Sequence, residues 1–248
     1  FGFQVYSDFS GYSDIARGAA QVMGFNLVEN FRRPFAARNI GDFWRNWHMS
    51  LFNWFWSYIY MPIAFSGNRS QVRVFIAIFA VFLASGFWHG AAWTFVVWGL
   101  LHGTYVAVSA FTMKWRGGIA KKIGLRKIPR LHGLWQTFVT FHLVTFSWIF
   151  FRASSLSDAR YILKNMFMNL KFAPIESYRL GTDRKGFALM IGLIGALELI
   201  QYVQSRRPLR GLIFEQPRWL RWGVYYASIV GLFYLGEVRP QSFIYFQF

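Results

Sequence analysis

SGFWHGAAWTFVVWGLLHG, residues 85–103, holds two histidines and no other ionisable side chain. It lies inside a longer run, Val74 to Met113, that contains no Lys, Arg, Asp or Glu over 40 residues. A helix needs about 20 apolar residues to cross the hydrocarbon of a bilayer. The run therefore suits two short helices with a break between them. Gly86, Gly90, Ala91 and Ala92 thin or weaken the chain around His89. At membrane depth, irregular backbone is tolerated only where protein or a watery cavity covers it. His89 thus suits either a reaction site or an imidazole that packs between helices and bonds a carbonyl.

The rest of the chain agrees with a membrane setting. Of 248 residues, 55% are hydrophobic and 21% aromatic, too aromatic for an ordinary soluble domain. Further apolar stretches are Leu131–Phe151, Gly186–Ser205 with Glu198 as its one acid, and the shorter Trp222–Gly236. The expected fold is all-α: a polytopic helical membrane protein with about five transmembrane helices, plus interfacial or re-entrant helices. Residues 1–248 read as one domain.

The net charge of +17 would suggest nucleic acid on a soluble protein. Here the cations gather between the spans, so no nucleic-acid partner is expected. Lys114–Arg130 holds seven Lys and Arg and no acid, and Arg206–Arg221 holds five Arg and one acid. Short cationic loops beside spans stay cytoplasmic. We therefore expect 114–130 and 206–221 inside, and the longer 152–185 largely outside. The chain has no cysteine, which rules out disulfides, a Cys nucleophile and Cys-ligated metal.

Outside the apolar runs, Phe1–Gly24 reads as a helix with a polar face. Ser10 and Asp14 share that face, whereas Asp8 and Asp14 do not. Glu29–Asn39 is a polar connector. Asp42–Phe65, dense in Trp and Tyr, suits an interfacial or re-entrant element and is expected to break at Pro62. Ala153–Leu170 has Ile162, Met166 and Leu170 four apart and reads as an amphipathic surface helix.

Histidine inside a membrane segment invites a functional reading. His48, near Arg45, suits a hydrated interfacial site. His102 lies 13 residues after His89, about 220° away around a continuous helix, and suits packing. His132 follows the basic loop. His142 is central in its span, with nothing nearby to support a role. Five scattered histidines without close spacing give no expected metal site. G-x-S-x-G and Gly-rich phosphate-loop patterns are absent from the sequence, so an elbow serine and a bound nucleotide are unsupported.

Several separate stretches together resemble the membrane-bound O-acyltransferases. They are QVYSDFSGYSDIARG (4–18), GFNLVENFRRPF (24–35), FWRNWHMSLFNWFWSYIYMPI (43–63), GFWHGAAWTFVVWGLLHG (86–103), FSWIFFRASSLSDA (146–159) and FIYFQF (243–248). The similarity is to the branch of the bacterial alginate O-acetyltransferase membrane subunit, with the D-alanine transfer proteins of teichoic-acid modification nearby. The turn FSGNRS departs from the branch, where a second Gly commonly precedes Gly67-Asn68-Arg69. The chain lacks an initiator Met, and the resemblance implies a C-terminal portion with about half of a typical member upstream.

The resemblance also implies the chemistry. His89 matches the family's principal catalytic histidine, and His48 its second important polar position. The implied reaction moves an acyl group, acetyl by expectation, from a thioester to a hydroxyl, with His89 as general base. Trp47, Trp88, Trp93 and Trp98 are expected to wall a tunnel between helices. Asp8, Ser10, Tyr12 and Asp14 form a polar wall or tie helices together, and Asn68 is a further substrate-side candidate. No tightly bound cofactor is expected. Acetyl-CoA or an acyl carrier protein supplies the thioester. The acceptor is an exported polysaccharide or an extracytoplasmic relay protein, and the setting is the bacterial inner membrane. Two alternatives are a non-catalytic scaffold for an extracytoplasmic transferase and a transporter.

Overall fold

A computed structural model describes residues 1–68, 70–168 and 183–236. Arg69, the 169–182 part of the long segment and the 243–248 stretch lie outside the described residues. The chain divides into two units, 1–172 and 173–248. The described residues are helical throughout, apart from loops and one isolated bridge between Phe31 and Trp47.

The first unit is organised by a hairpin of α5 (Gln71–His89) and α6 (Trp93–Phe111). Ser70 caps α5 by accepting the Arg73 amide at 3.2 Å. Apolar side chains surround both helices, as burial in lipid and protein requires. The hairpin closes because glycine lets two backbones meet. A Cβ on Gly86 would collide with the Phe95 carbonyl of α6, and one on Gly99 with the Phe82 carbonyl of α5. Without a hydrophobic drive between helices in lipid, such close small-residue contacts supply the packing. The expected break falls at residues 90–92, where Gly90 takes φ +156° and its missing Cβ leaves room for the Phe95 ring.

Against this hairpin runs α8 (Pro129–Arg152), antiparallel to α6. Phe95 near the start of α6 meets Phe151 near the end of α8, with centroids 5.1 Å apart. At the other end, Phe75 of α5 meets Phe111 of α6. The cationic helix α7 (Met113–Lys122) follows α6 there, and the short 3₁₀ turn Leu125–Lys127 packs against the start of α8. The basic stretch and the Gly90 break thus occupy opposite ends of the helical bundle.

Helix α1 (Gly2–Val22) forms as expected, with Val5, Tyr6 and Phe9 buried and Asp8, Tyr12 and Asp14 exposed. The aromatic segment folds as α2 (Ile40–Asn46), α3 (Met49–Phe55), a π turn (Trp56–Tyr60) and α4 (Met61–Phe65). Pro62 does not end this segment. It sits in the first turn of α4, where its missing N–H costs nothing, and the π turn absorbs the change in hydrogen bonding. After α8, the amphipathic helix α9 (Leu156–Met168) buries Ala159.

The second unit contains α10 (Arg184–Gln204), α11 (Leu209–Phe214) and α12 (Arg218–Leu235). Asp183 caps α10 by accepting the Gly186 amide at 2.7 Å. Four described helices, α5, α6, α8 and α10, are long and apolar enough to cross a membrane. The expected fifth, within α12, is not among them, being less apolar than these four, with Arg218 and Arg221 in its first turn.

Candidate functional site

The site is built on the turn between α2 and α3 and on the break between α5 and α6. Asn39 caps α2 by accepting the Asp42 amide at 2.9 Å, and Asp42 pairs with Arg45. The next turn cannot continue the helix, because His48 adopts φ +45° and ψ +54°. A left-handed non-glycine residue persists only where its surroundings over-determine it. Here the connector supplies that constraint. Arg32 N donates to Asn46 O and Met49 N to Asn30 O, each at 3.0 Å. Ser50 adds a hydroxyl bond of 2.7 Å to the Asn30 side-chain oxygen. The residues on both sides of His48 are therefore tied to residues 30–32.

The His48 ring leans edge-on against Phe9 of α1 at 4.7 Å and against Trp88 of α5 at 5.9 Å. Burial lowers its pKa to about 4, so the imidazole is neutral at pH 7. Trp88 also meets His89, whose ring is 4.9 Å from the indole. His89 is also edge-on to Trp98 at 5.1 Å and to Phe151 at 4.9 Å. Aromatic side chains of α5, α6 and α8 thus enclose the imidazole at the helix break, where Gly90 ends α5. Those rings limit how far the imidazole can turn.

His102 is a different kind of histidine. It is fully buried on α6, and both ring nitrogens are bonded. Trp44 Nε1 donates to Nδ1 at 3.2 Å. An indole N–H can only donate, so Nδ1 accepts and the neutral ring carries its proton on Nε2. Nε2 donates to Ser147 Oγ at 2.7 Å, and the Ser147 hydroxyl donates to the Val144 carbonyl at 2.7 Å. The chain of bonds joins α2, α6 and α8 at mid-bundle.

The remaining candidates separate clearly. Trp88 touches both His48 and His89 and is half exposed, and Trp98 is 2% exposed and touches both His89 and His102. Trp47 is a core residue that packs on Tyr6, Phe43 and Trp148. Trp93 opens α6 and is 72% exposed. On α1, Ser10 is half-buried, Asp8 and Tyr12 are exposed, and Asp14 pairs with Arg17 at 3.4 Å. Asn68 is exposed in the turn before α5, at the opposite end of that helix from His89. Nineteen helical residues span about 28 Å, so Asn68 is not brought to the histidines. His132 is half-buried near the start of α8. His142 faces outward on α8 and bonds only its own helix, at the Phe138 carbonyl. Sequence reasoning missed Trp44, Ser147 and Phe151. The available signal was two hydroxyls, Thr140 and Ser147, on the α8 face shared with Val144, Trp148 and Phe151. Among the described residues no three His, Asp or Glu side chains gather as a metal site would require.

Residues 1–156, which carry both helix breaks and all five histidines, match the MBOAT, or membrane-bound O-acyltransferase, family. The chain is 40% identical over 171 residues to the peptidoglycan O-acetyltransferase of Helicobacter pylori, covering 67% of this chain and 30% of that protein. It is 38% identical over 165 residues to the probable alginate O-acetylase AlgI of Pseudomonas aeruginosa, covering 66% and 29%. To the teichoic acid D-alanyltransferase of Bacillus subtilis it is 35% identical over 160 residues, covering 61% and 39%. The match thus spans well under half the length of each of these relatives.

Proposed function

The chain belongs to the membrane-bound O-acyltransferase family, and on that premise we propose that it carries the acyl-transfer site of an envelope-modifying enzyme. The substrate pair is a thioester donor, acetyl-CoA or an acyl carrier protein, and a hydroxyl acceptor. The acceptor is an exported polysaccharide or a relay protein outside the membrane. The names of the relatives support this class, since peptidoglycan, alginate and teichoic acid all lie outside the cytoplasmic membrane.

The observation that carries the reading is the contact of both His48 and His89 with Trp88, at the break that ends α5. His89 takes the proton of the acceptor hydroxyl as its oxygen attacks the thioester carbonyl. The new C–O bond forms, the C–S bond breaks, and the departing thiolate takes the proton back from the imidazolium. The ring returns neutral and no covalent enzyme intermediate is needed. General-base help of this kind contributes about 10²–10⁴ in rate. His48, held neutral by burial, keeps one N–H to orient the acceptor or to meet the developing oxyanion.

The charge distribution supports a direction. The basic stretch 114–130 at one end of the bundle faces the cytoplasm of a multi-pass inner-membrane protein. The His89 end then faces outward, where an exported glycan arrives, and the donor acyl group reaches it from the cationic side. Membrane vesicles given radiolabelled acetyl-CoA test this class. The expected result is base-labile label in the envelope polysaccharide fraction, dependent on the protein. Solute uptake without ester formation, or label transfer that is unchanged when the protein is absent, would overturn it.

A further inference from the structure

Trp98 presents a puzzle that its neighbours resolve. It is 2% exposed, yet its Nε1 has no hydrogen-bond partner among the described residues. A buried N–H left unpaired costs free energy, so Trp98 is not placed for its own satisfaction. What it does is touch two histidines: its ring is 5.1 Å from His89 and 4.9 Å from His102. Trp98 precedes His102 by one turn on α6. Phe151 follows Ser147 by one turn on α8. Because α6 and α8 are antiparallel, these two steps lead the same way along the bundle, to the ring pair that encloses His89. Trp98 and Phe151 touch each other there at 5.5 Å.

The bond between His102 and Ser147 therefore sets the register of the two helices one turn away from the imidazole cage. Trp44 adds direction. Its indole N–H fixes which nitrogen of His102 carries the proton, so Nε2 can only donate toward Ser147. A slip of α6 on α8 would strain the His102–Ser147 bond and shift Trp98 and Phe151 relative to each other.

We propose that the Trp44–His102–Ser147 network is a positioning element for acyl transfer, holding α6 against α8 so that Trp98 and Phe151 keep the His89 imidazole in one orientation. The proposal rests on the reading of His89 as the base. His102 touches no substrate in this scheme and acts through Trp98.

The test uses vesicles containing the wild-type protein, Ser147→Ala, Ser147→Thr and His89→Ala, with radiolabelled acetyl-CoA varied as the probe. Rates are normalised to the protein recovered monodisperse in detergent. Misplacing a catalytic group by about 1 Å costs on the order of 10²-fold. Ser147→Ala is expected to lose about tenfold to a hundredfold in kcat, with KM for acetyl-CoA unchanged. Ser147→Thr, which keeps the hydroxyl, is expected to recover most of that loss. A purely structural role would lower the yield of folded protein and leave kcat per folded molecule alone, and that result overturns the proposal. An inactive His89→Ala beside a fully active Ser147→Ala rejects the positioning role while sparing the base. A fully active His89→Ala removes the base and the positioning role together.

Discussion

Trp44 on α2 donates its indole hydrogen to His102 at the middle of α6, across 3.2 Å. That bond brings α2, a short helix, to the place where α6 and α8 meet, since His102 also bonds Ser147 of α8. Trp44 also packs on Phe82 and Trp98, so one side chain anchors α2 to both arms of the hairpin.

Replacing Trp44 by Phe keeps most of the packing and removes the donor. His102 Nδ1 would then be a buried acceptor without a partner, which costs about 1–3 kcal/mol. The expected outcome is a lower melting midpoint in detergent. An unchanged midpoint would mean that the bond contributes nothing to anchoring α2.

Gly99→Ala is expected to be destabilising by about 1–3 kcal/mol, because the new methyl meets backbone rather than a movable side chain. Gly18→Ala on α1 supplies the contrast. Open space surrounds that position, and alanine gains up to about 1 kcal/mol over glycine in a helix. Melting curves of the two variants should move in opposite directions, and a shared direction would contradict the close approach of α5 and α6.

Acid should weaken the protein through His48. Its folded pKa of about 4 lies below the ordinary 6.5, so between those values the unfolded chain binds more protons. Stability therefore rises with pH across this window and falls as pH drops from about 6.5 towards 4. His48→Asn tolerates the left-handed backbone and does not titrate. The melting midpoint of the wild type should fall more steeply with acid than that of the variant. Parallel slopes would show that His48 is not buried neutral.

His142→Leu is expected to leave both acyl transfer and stability within about 0.5 kcal/mol of wild type. The ring faces outward and bonds its own helix at the Phe138 carbonyl. A large loss of activity at normal folding would place His142 in the chemistry and require a different site.

The helix hairpin was legible in the sequence because charge is absent from Val74–Met113 and small residues cluster at 86–92. Local pattern suffices for that. The grouping of His48 with His89 was reached through family resemblance, since the segments are 41 residues apart in sequence and come together only in the fold, where both rings touch Trp88. The role of His102 was not readable in detail. Its partners lie 58 and 45 residues away on other helices, and neither an indole nor a serine announces a partner from sequence. Pro62 misled in the other direction, because a proline in a first helical turn looks the same in sequence as one that ends a helix.

The central claim is that the His89 imidazole removes the acceptor's proton. The most direct measurement is the initial rate of acetyl transfer in vesicles for wild type and His89→Ala at matched amounts of folded protein. The expected result is a loss of about 10²–10⁴-fold in the variant. Equal rates in the two would contradict the claim.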